Sequence, residues 1–423
     1  MTHDATFFLI ICSAMVLFMT PGLAFFYGGL VRASSVVSMM MMSFGALGLV
    51  AVLWVVYGYA ISFSDPTGSG FIGLPGVFGF DPSELFMNKA LQAAKSGTGF
   101  QFAFGGFQGT FAIITVALIS GAIADRAKFG SWMLFAGAWA TFVYFPVASW
   151  VFNFKTENGH VVSGGWLVNN IGLLAFAGGT VVEISSGASA LAVALVVGKR
   201  FGFTKGMHAP HNVPLVLIGV AILWFGWFGF NAGSELAADG TASLAFINTL
   251  AAPVGSMLSW ALWERLKHGK STSIGAASGA VAGAVAITPA CAYLTPVWAL
   301  VLGALVGVIC AYAIELKYQL GFDDSLDVVG VHFVAGVVGT LVIGLVGNNV
   351  GLAFGFGALQ FGKQLLGSVV VAVYAFVVSW LLAQAVQKTI GFRVTSTDEI
   401  AGIDLVQHGQ NAYGETDPRW TWR

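Results

Sequence analysis

The chain holds 423 residues, 57% of them hydrophobic and 9% charged, with a mean hydropathy of +0.84 and a formal net charge of −1. That balance excludes an ordinary soluble globular domain, and without a basic run nucleic acid is excluded as a partner. Cys12, Cys291 and Cys310 are isolated in or beside apolar stretches, so neither a disulfide framework nor a metal site is predicted.

A helix needs about 20 mostly apolar residues to cross the hydrocarbon core. Eleven stretches qualify, roughly 6–31, 38–63, 100–123, 129–152, 173–198, 213–232, 243–263, 273–288, 294–314, 328–347 and 364–387. They predict an all-α polytopic membrane protein with eleven transmembrane helices, the eighth short enough to be tilted or partial. No basic n-region precedes the first, which therefore reads as a true span rather than a cleavable signal. In the long connection 64–98, Asp81 is placed to cap a helix that begins at Pro82, with Leu85, Phe86 and Leu91 lying on the protein or at the interface. The third stretch carries Gly105, Gly106 and Gly109 around Phe107–Phe111, the fourth ends at Phe152, and the fifth runs through Phe176–Glu183. Small residues within spans permit the close helix approach on which membrane bundles depend. Ser185, Ser186 and Ser189 lack a Gly-x-Ser-x-Gly elbow, so no hydrolase, catalytic residue or cofactor is predicted. His208 and His211 follow without a nearby carboxylate or cysteine, which fits a solvated loop better than a metal site. The sixth stretch ends in Trp227–Ser234 and the tenth carries His332.

Glu183 and His332 are the two ionisable side chains read deep within the stretches; the other acids, bases and histidines map to loops, tails or span ends. A titratable group at bilayer depth is costly and normally lines a cavity or pathway. The two sit on the fifth and tenth spans, equivalent places in a 5+5 arrangement whose odd-numbered halves are inverted in the membrane, with the eleventh span left over. Inverted repeats place their site at the midplane interface of the halves. If the spans alternate, fourteen basic residues fall on one side and four on the other: Lys89, Lys95, Lys155 and Lys363. The positive-inside rule then puts the N-terminus outside and the C-terminus in the cytoplasm.

On the external side Phe107, Phe111, Phe152 and Phe230 come together with the Ser234 hydroxyl. Each aromatic face attracts a partly desolvated cation by about 0.5–2 kcal/mol, which suits a small cation such as ammonium. Trp227 and Phe228 fit an interfacial aromatic belt better.

In order, Thr20–Leu30, Phe107–Phe111, Ala124–Arg126, Phe176–Val182, Trp227–Ser234 and Asp323–His332 make the chain resemble the ammonium transporter family (Amt/Mep/Rh) over nearly its whole length. The resemblance implies a homotrimer of eleven-span protomers in the plasma membrane, each with its own pore. It implies ammonium or ammonia as substrate, with methylammonium as a possible analogue, recruited at Phe111, Phe152 and Ser234. Phe111 and Phe230 would gate the pore, and a central pair would line it. The tail segment Asp398–Asp404 and His408–Gly409 resembles the family's subunit-coupling tail, in contact with the loop that carries Asp323, Asp324 and Asp327. One of these three acids is also expected to cap the tenth helix. A PII-type signalling protein would meet this side. The organisation expected is a transmembrane domain over 1–388 and a cytoplasmic regulatory tail over 389–423.

Three positions depart from the family pattern. Glu183 stands where a first pore histidine is usual, as it does in some fungal members. Phe152 replaces a tryptophan, and Ala175 replaces the acid that opens the Asp-Phe-Ala-Gly-Gly motif. In the family that acid is buried and supports the vestibule backbone. Glu183 and His332 are expected to form a proton-relay pair, with Glu183 supplying anionic character. An ammonium sensor of the same fold that conducts poorly is the rival expectation. Ala175 and Phe152 favour it, whereas Phe111, Phe230, His332 and the short tail favour transport.

Overall fold

The computed structural model of the protein describes residues 3–66, 68–97, 99–157, 160–203 and 209–413. His208, Lys205, Arg419 and Arg423 lie outside them. Among the described residues, ten helices are long and apolar enough to cross a membrane: α1 His3–Leu30, α2 Ala33–Phe63, α3 Phe100–Ile123, α4 Phe129–Phe152, α5 Gly179–Val197, α6 Val213–Gly233, α7 Gly240–His268, α9 Pro296–Leu320, α10 Val329–Val346 and α11 Leu359–Thr389. The eleventh, α8 Ser273–Ile287, is the shorter one that the sequence singled out. All eleven stretches are helical, and the fold is the all-α polytopic bundle expected from them.

The main departure is at α5, which begins at Gly179, six residues beyond the start of its apolar stretch. The preceding residues run irregularly, and Gly178 takes a left-handed φ of 105° before the helix starts. Backbone groups at membrane depth need partners inside the protein. Here the Phe176 and Ala177 amides donate to the carbonyls of Pro289 and Thr288, at 3.1 and 3.2 Å, in the turn that follows α8. The broken entry to α5 and the early end of α8 satisfy one another.

Both α5 and α10 open with a wide π-type turn, Gly179–Ile184 and Val329–Phe333. Glu183 lies in the first and His332 in the second. Gly187 is four residues after Glu183, and Gly336 is four residues after His332. A Cβ on Gly187 would lie 2.5 Å from Phe333 Cβ, and one on Gly336 would lie 2.8 Å from Glu183 Cβ. The two helices therefore cross antiparallel at reciprocal glycines, as an inverted pair of repeats requires.

The connections fall into two layers. One layer holds two β-hairpins: Ile72–Leu74 pairs with Phe78–Phe80, and Phe154–Glu157 with His160–Gly164. It also holds the turn at Pro82–Met87, where Asp81 accepts from the Ser83 amide at 2.9 Å, and the short helix Asn88–Ser96. We call this the hairpin side. The opposite layer, the tail side, joins the loops after α1, α3, α5 and α9 to the chain beyond α11. There the Lys128 amide donates to Phe392 O at 2.9 Å and the Val394 amide to Arg126 O at 3.0 Å. Helices Ser396–Ala401 and Ile403–His408 complete this layer.

Candidate functional site

Toward the hairpin side, α3, α4 and α6 bring four phenylalanines together. Phe111 and Phe230 stack with ring centroids 3.9 Å apart and planes 19° apart. Phe107 tilts against Phe111 at 4.8 Å, and Phe152 meets its edge at 6.2 Å. All four rings are buried. Ser234, one turn after Phe230, is partly exposed and donates to Phe230 O at 2.9 Å. These rings fit against one another because glycines line their helices: a Cβ on Gly233 would lie 2.8 Å from the Phe107 ring.

Beneath the stacked pair is a narrow cavity of about 10 Å³, bounded by Phe230, Trp227, Leu223, Val281, Glu183 and His332. It is close to the smallest space that holds one water. Its floor is polar: His332 Nδ1 and Glu183 Oε2 are 2.7 Å apart, with 4% and 1% of their side-chain surfaces exposed. A contact of this length between an imidazole nitrogen and a carboxylate oxygen is a direct hydrogen bond. His332 also borders a second cavity of about 460 Å³, lined on the tail side by Arg32, Asp125, Arg200, Glu264 and Asp327. The stacked rings, the narrow cavity, the Glu183–His332 pair and the wide cavity thus lie in series.

Trp227 is not a belt residue. It is 3% exposed, and its indole N–H donates to Thr288 Oγ1 at 2.8 Å, which ties the wall of the narrow cavity to the turn after α8. Sequence reasoning missed Thr288, whose only signal was a threonine–proline step at the end of an apolar run. Phe228 instead stacks on Phe246, with centroids 4.5 Å apart. Ala175 is 7% exposed in the irregular segment before α5, and no side chain caps that helix.

The acidic loop divides its work. Asp324 accepts from the Val329 amide at 2.7 Å and so caps α10, and burial pushes its carboxyl up to about 6. Asp327 pairs with the buried Lys317 at 2.5 Å. Asp323 binds the guanidinium and amide of Arg200, the latter at 2.7 Å, and its carboxyl is lowered even though burial, its largest influence, raises it; Arg126 and Arg200 prevail. This loop reaches the tail through its neighbour, since the Phe201 amide donates to Glu399 Oε1 at 2.6 Å. Asp404 lies further off, accepting from the Val37 and Ser38 amides at 2.9 and 2.7 Å. His211 bonds Val31 O at 2.8 Å and the Tyr413 hydroxyl at 2.7 Å, a loop-to-tail brace. Among the described residues no group of three or more His, Cys, Asp or Glu side chains is disposed to hold a metal ion.

Eleven apolar helices around a narrow cavity with a buried polar pair define a polytopic membrane protein of the channel or transporter class. The profile of the Ammonium Transporter Family matches residues 7–413. An ammonium transporter of Mycobacterium tuberculosis is 49% identical over 431 residues, covering 96% of this chain and 90% of that one. The structure of Saccharomyces cerevisiae Mep2 superposes with a TM-score of 0.85 at 30% identity, covering 99% and 93% of the two chains. That of the Sensor Amt Protein gives 0.86 at 26% identity, covering 96% and 98%. The chain belongs to the Ammonium Transporter Family.

Proposed function

We infer that the protein transports ammonium or ammonia through the path between Phe111–Phe230 and the tail-side cavity. The observation that carries this reading is the serial order of stacked rings, narrow cavity and the 2.7 Å Glu183–His332 contact. In this reading ammonium is recruited at Phe107, Phe111, Phe152 and Ser234 on the external, hairpin side. A bare cation in so narrow and apolar a path is costly, whereas neutral ammonia passes readily, and potassium has no proton to shed. Ammonium leaves its proton near the gate, Glu183 accepts it, and the short bond hands it to His332, which borders the tail-side cavity. The proton and ammonia rejoin there. The protein works as a transporter rather than an enzyme. It sits in the plasma membrane with its N-terminus outside and its basic tail side cytoplasmic, as a homotrimer whose tail over 389–423 is regulatory and meets a PII-type protein.

Charge movement from proteoliposomes on a solid-supported membrane tests this. An ammonium pulse is expected to give a saturable current that Glu183→Gln abolishes or strips of its pH dependence. A Glu183→Gln variant with the full current and an unchanged pH profile sinks the relay. A second reading, an ammonium sensor, is favoured by Ala175 and by the fold shared with the Sensor Amt Protein. It predicts only a brief binding transient from the unaltered protein.

A further inference from the structure

At the hairpin-side end of α5, buried donors have no acceptor among the described residues. Four amides leading to it are satisfied: those of Leu173, Leu174, Phe176 and Ala177 reach Leu167 O, Gln364 Oε1, Pro289 O and Thr288 O. The amides of Gly179, Thr180 and Val181 open the helix and have no intrahelical partner, as in any first turn. No side chain caps them. The hydroxyl of Thr180 is fully buried and also unpartnered. Several buried hydroxyls in this bundle bond back one turn, as Thr115 does to Phe111 O, Thr288 to Ala284 O and Thr340 to Gly336 O, whereas Thr180 joins Thr20, Ser43, Ser256 and Ser368 in making no such bond. Thr180 is the second residue of its helix, so no preceding helical turn supplies that carbonyl. The Cα–Cβ bond of a helical residue leans toward the helix N-terminus, which sets the Thr180 Cβ toward the same end as the amides.

We propose that this end of α5 binds a small monovalent anion, a halide or formate. Convergent N–H and O–H donors call for an acceptor, and the positive end of the helix dipole favours a negative one. Lys363 adds a cation at the head of the same segment: its Nζ would lie 2.9 Å from a Cβ on Gly172, and it makes no ion pair among the described residues. The walls restrict size. A Cβ on Gly179 would lie 2.5 Å from Pro289 Cβ, and one on Gly178 would lie 3.1 Å from the Phe152 ring. Because Phe152 belongs to the vestibule of the proposed function, an anion here would also supply negative charge beside an ammonium ion, a consequence that rests on that reading.

Bromide and formate test the site on the full chain. Crystals containing bromide are expected to show an anomalous peak within hydrogen-bond distance of the Gly179 or Thr180 amide. In detergent, bromide or formate should raise the melting midpoint above that in gluconate at equal ionic strength. Thr180→Val should raise the half-saturating concentration several-fold. Ala175→Asp, which tethers a carboxylate three residues before Gly178, should flatten the response. Equal midpoints in bromide and gluconate with no peak would overturn the proposal. So would a peak without a stability shift, which marks an adventitious ion only. Neither readout requires conduction, so a protein that binds bromide but passes no current retires the transport reading alone.

Discussion

Glu235 follows Ser234 at the hairpin-side end of α6, where burial, reinforced by Asp239, pushes its carboxyl from the ordinary 4.5 up to about 7. The folded chain thus keeps a proton that the unfolded chain releases. Stability present below about pH 4.5 is then lost as the pH rises toward about 7. Glu235→Gln should flatten the fall in melting midpoint across that window, and an unchanged slope would assign the fall to another group. Nothing in the sequence separated Glu235 from an ordinary loop acid, because burial is a tertiary property that a short polar stretch does not display. Glu183 and His332 were legible for the opposite reason. A titratable side chain in a long apolar run stands out without any tertiary knowledge, although their 2.7 Å contact does not. The indole–hydroxyl bond of Trp227 and Thr288 was equally invisible, since aromatic residues near a span end look alike whether they face lipid or a cavity.

Between α5 and α10, the crossing fixes how the central pair meets. Gly336 faces Glu183 Cβ, so Gly336→Val must push the helices apart. Overpacking of this kind costs about 1–3 kcal/mol. Transport should fall with it more steeply than stability does, because the Glu183–His332 bond tolerates little displacement. Thermal unfolding and ammonium-driven current on the same preparation check this. A variant that loses stability but keeps full current would show that the pair need not touch. The helical bundle itself was legible, since span length and apolar content are local properties. The start of α5 was not: hydropathy runs smoothly through 173–178, and only the Gly178-Gly179 step hints at the left-handed φ of 105° that delays the helix. The Asp81 cap before Pro82 was readable because a cap and a helix-opening proline act within a few residues, but the helix expected there stops after one turn at the non-helical Leu85 and Phe86 and resumes only at Asn88.

Across the whole molecule, the tail holds the tail-side loops together rather than hanging from α11. Within α2, the 3-10 turn Ala33–Ser35 gives way to regular α-helix at Val36, and Asp404 caps that start from more than 360 residues away, taking the place that Ser35 leaves unused, since Ser35 makes no side-chain cap bond. Glu399 accepts from the Phe201 amide at 2.6 Å and the Arg393 guanidinium at 2.6 Å, while its own carbonyl accepts from Arg32 at 3.0 Å. Arg32 and Arg200 also line the wide cavity, so tail and cavity share walls. The acids at 399 and 404 drew notice in the sequence, but their partners in the α1–α2 connection, on α2 and in the α5–α6 loop follow only from the fold. Loss of a helix cap costs about 0.5–2 kcal/mol. Asp404→Ala should therefore speed amide exchange at 36–39 in lipid nanodiscs, and Glu399→Gln should do so at 199–201. If the tail acts as one strap, each variant will also loosen the other's segment, and the double variant will exceed neither single change by much. Purely local effects that add would instead make the two acids independent clasps. The shared docking of Arg32 and Glu399 argues for the strap, because releasing either acid frees the same short stretch of chain.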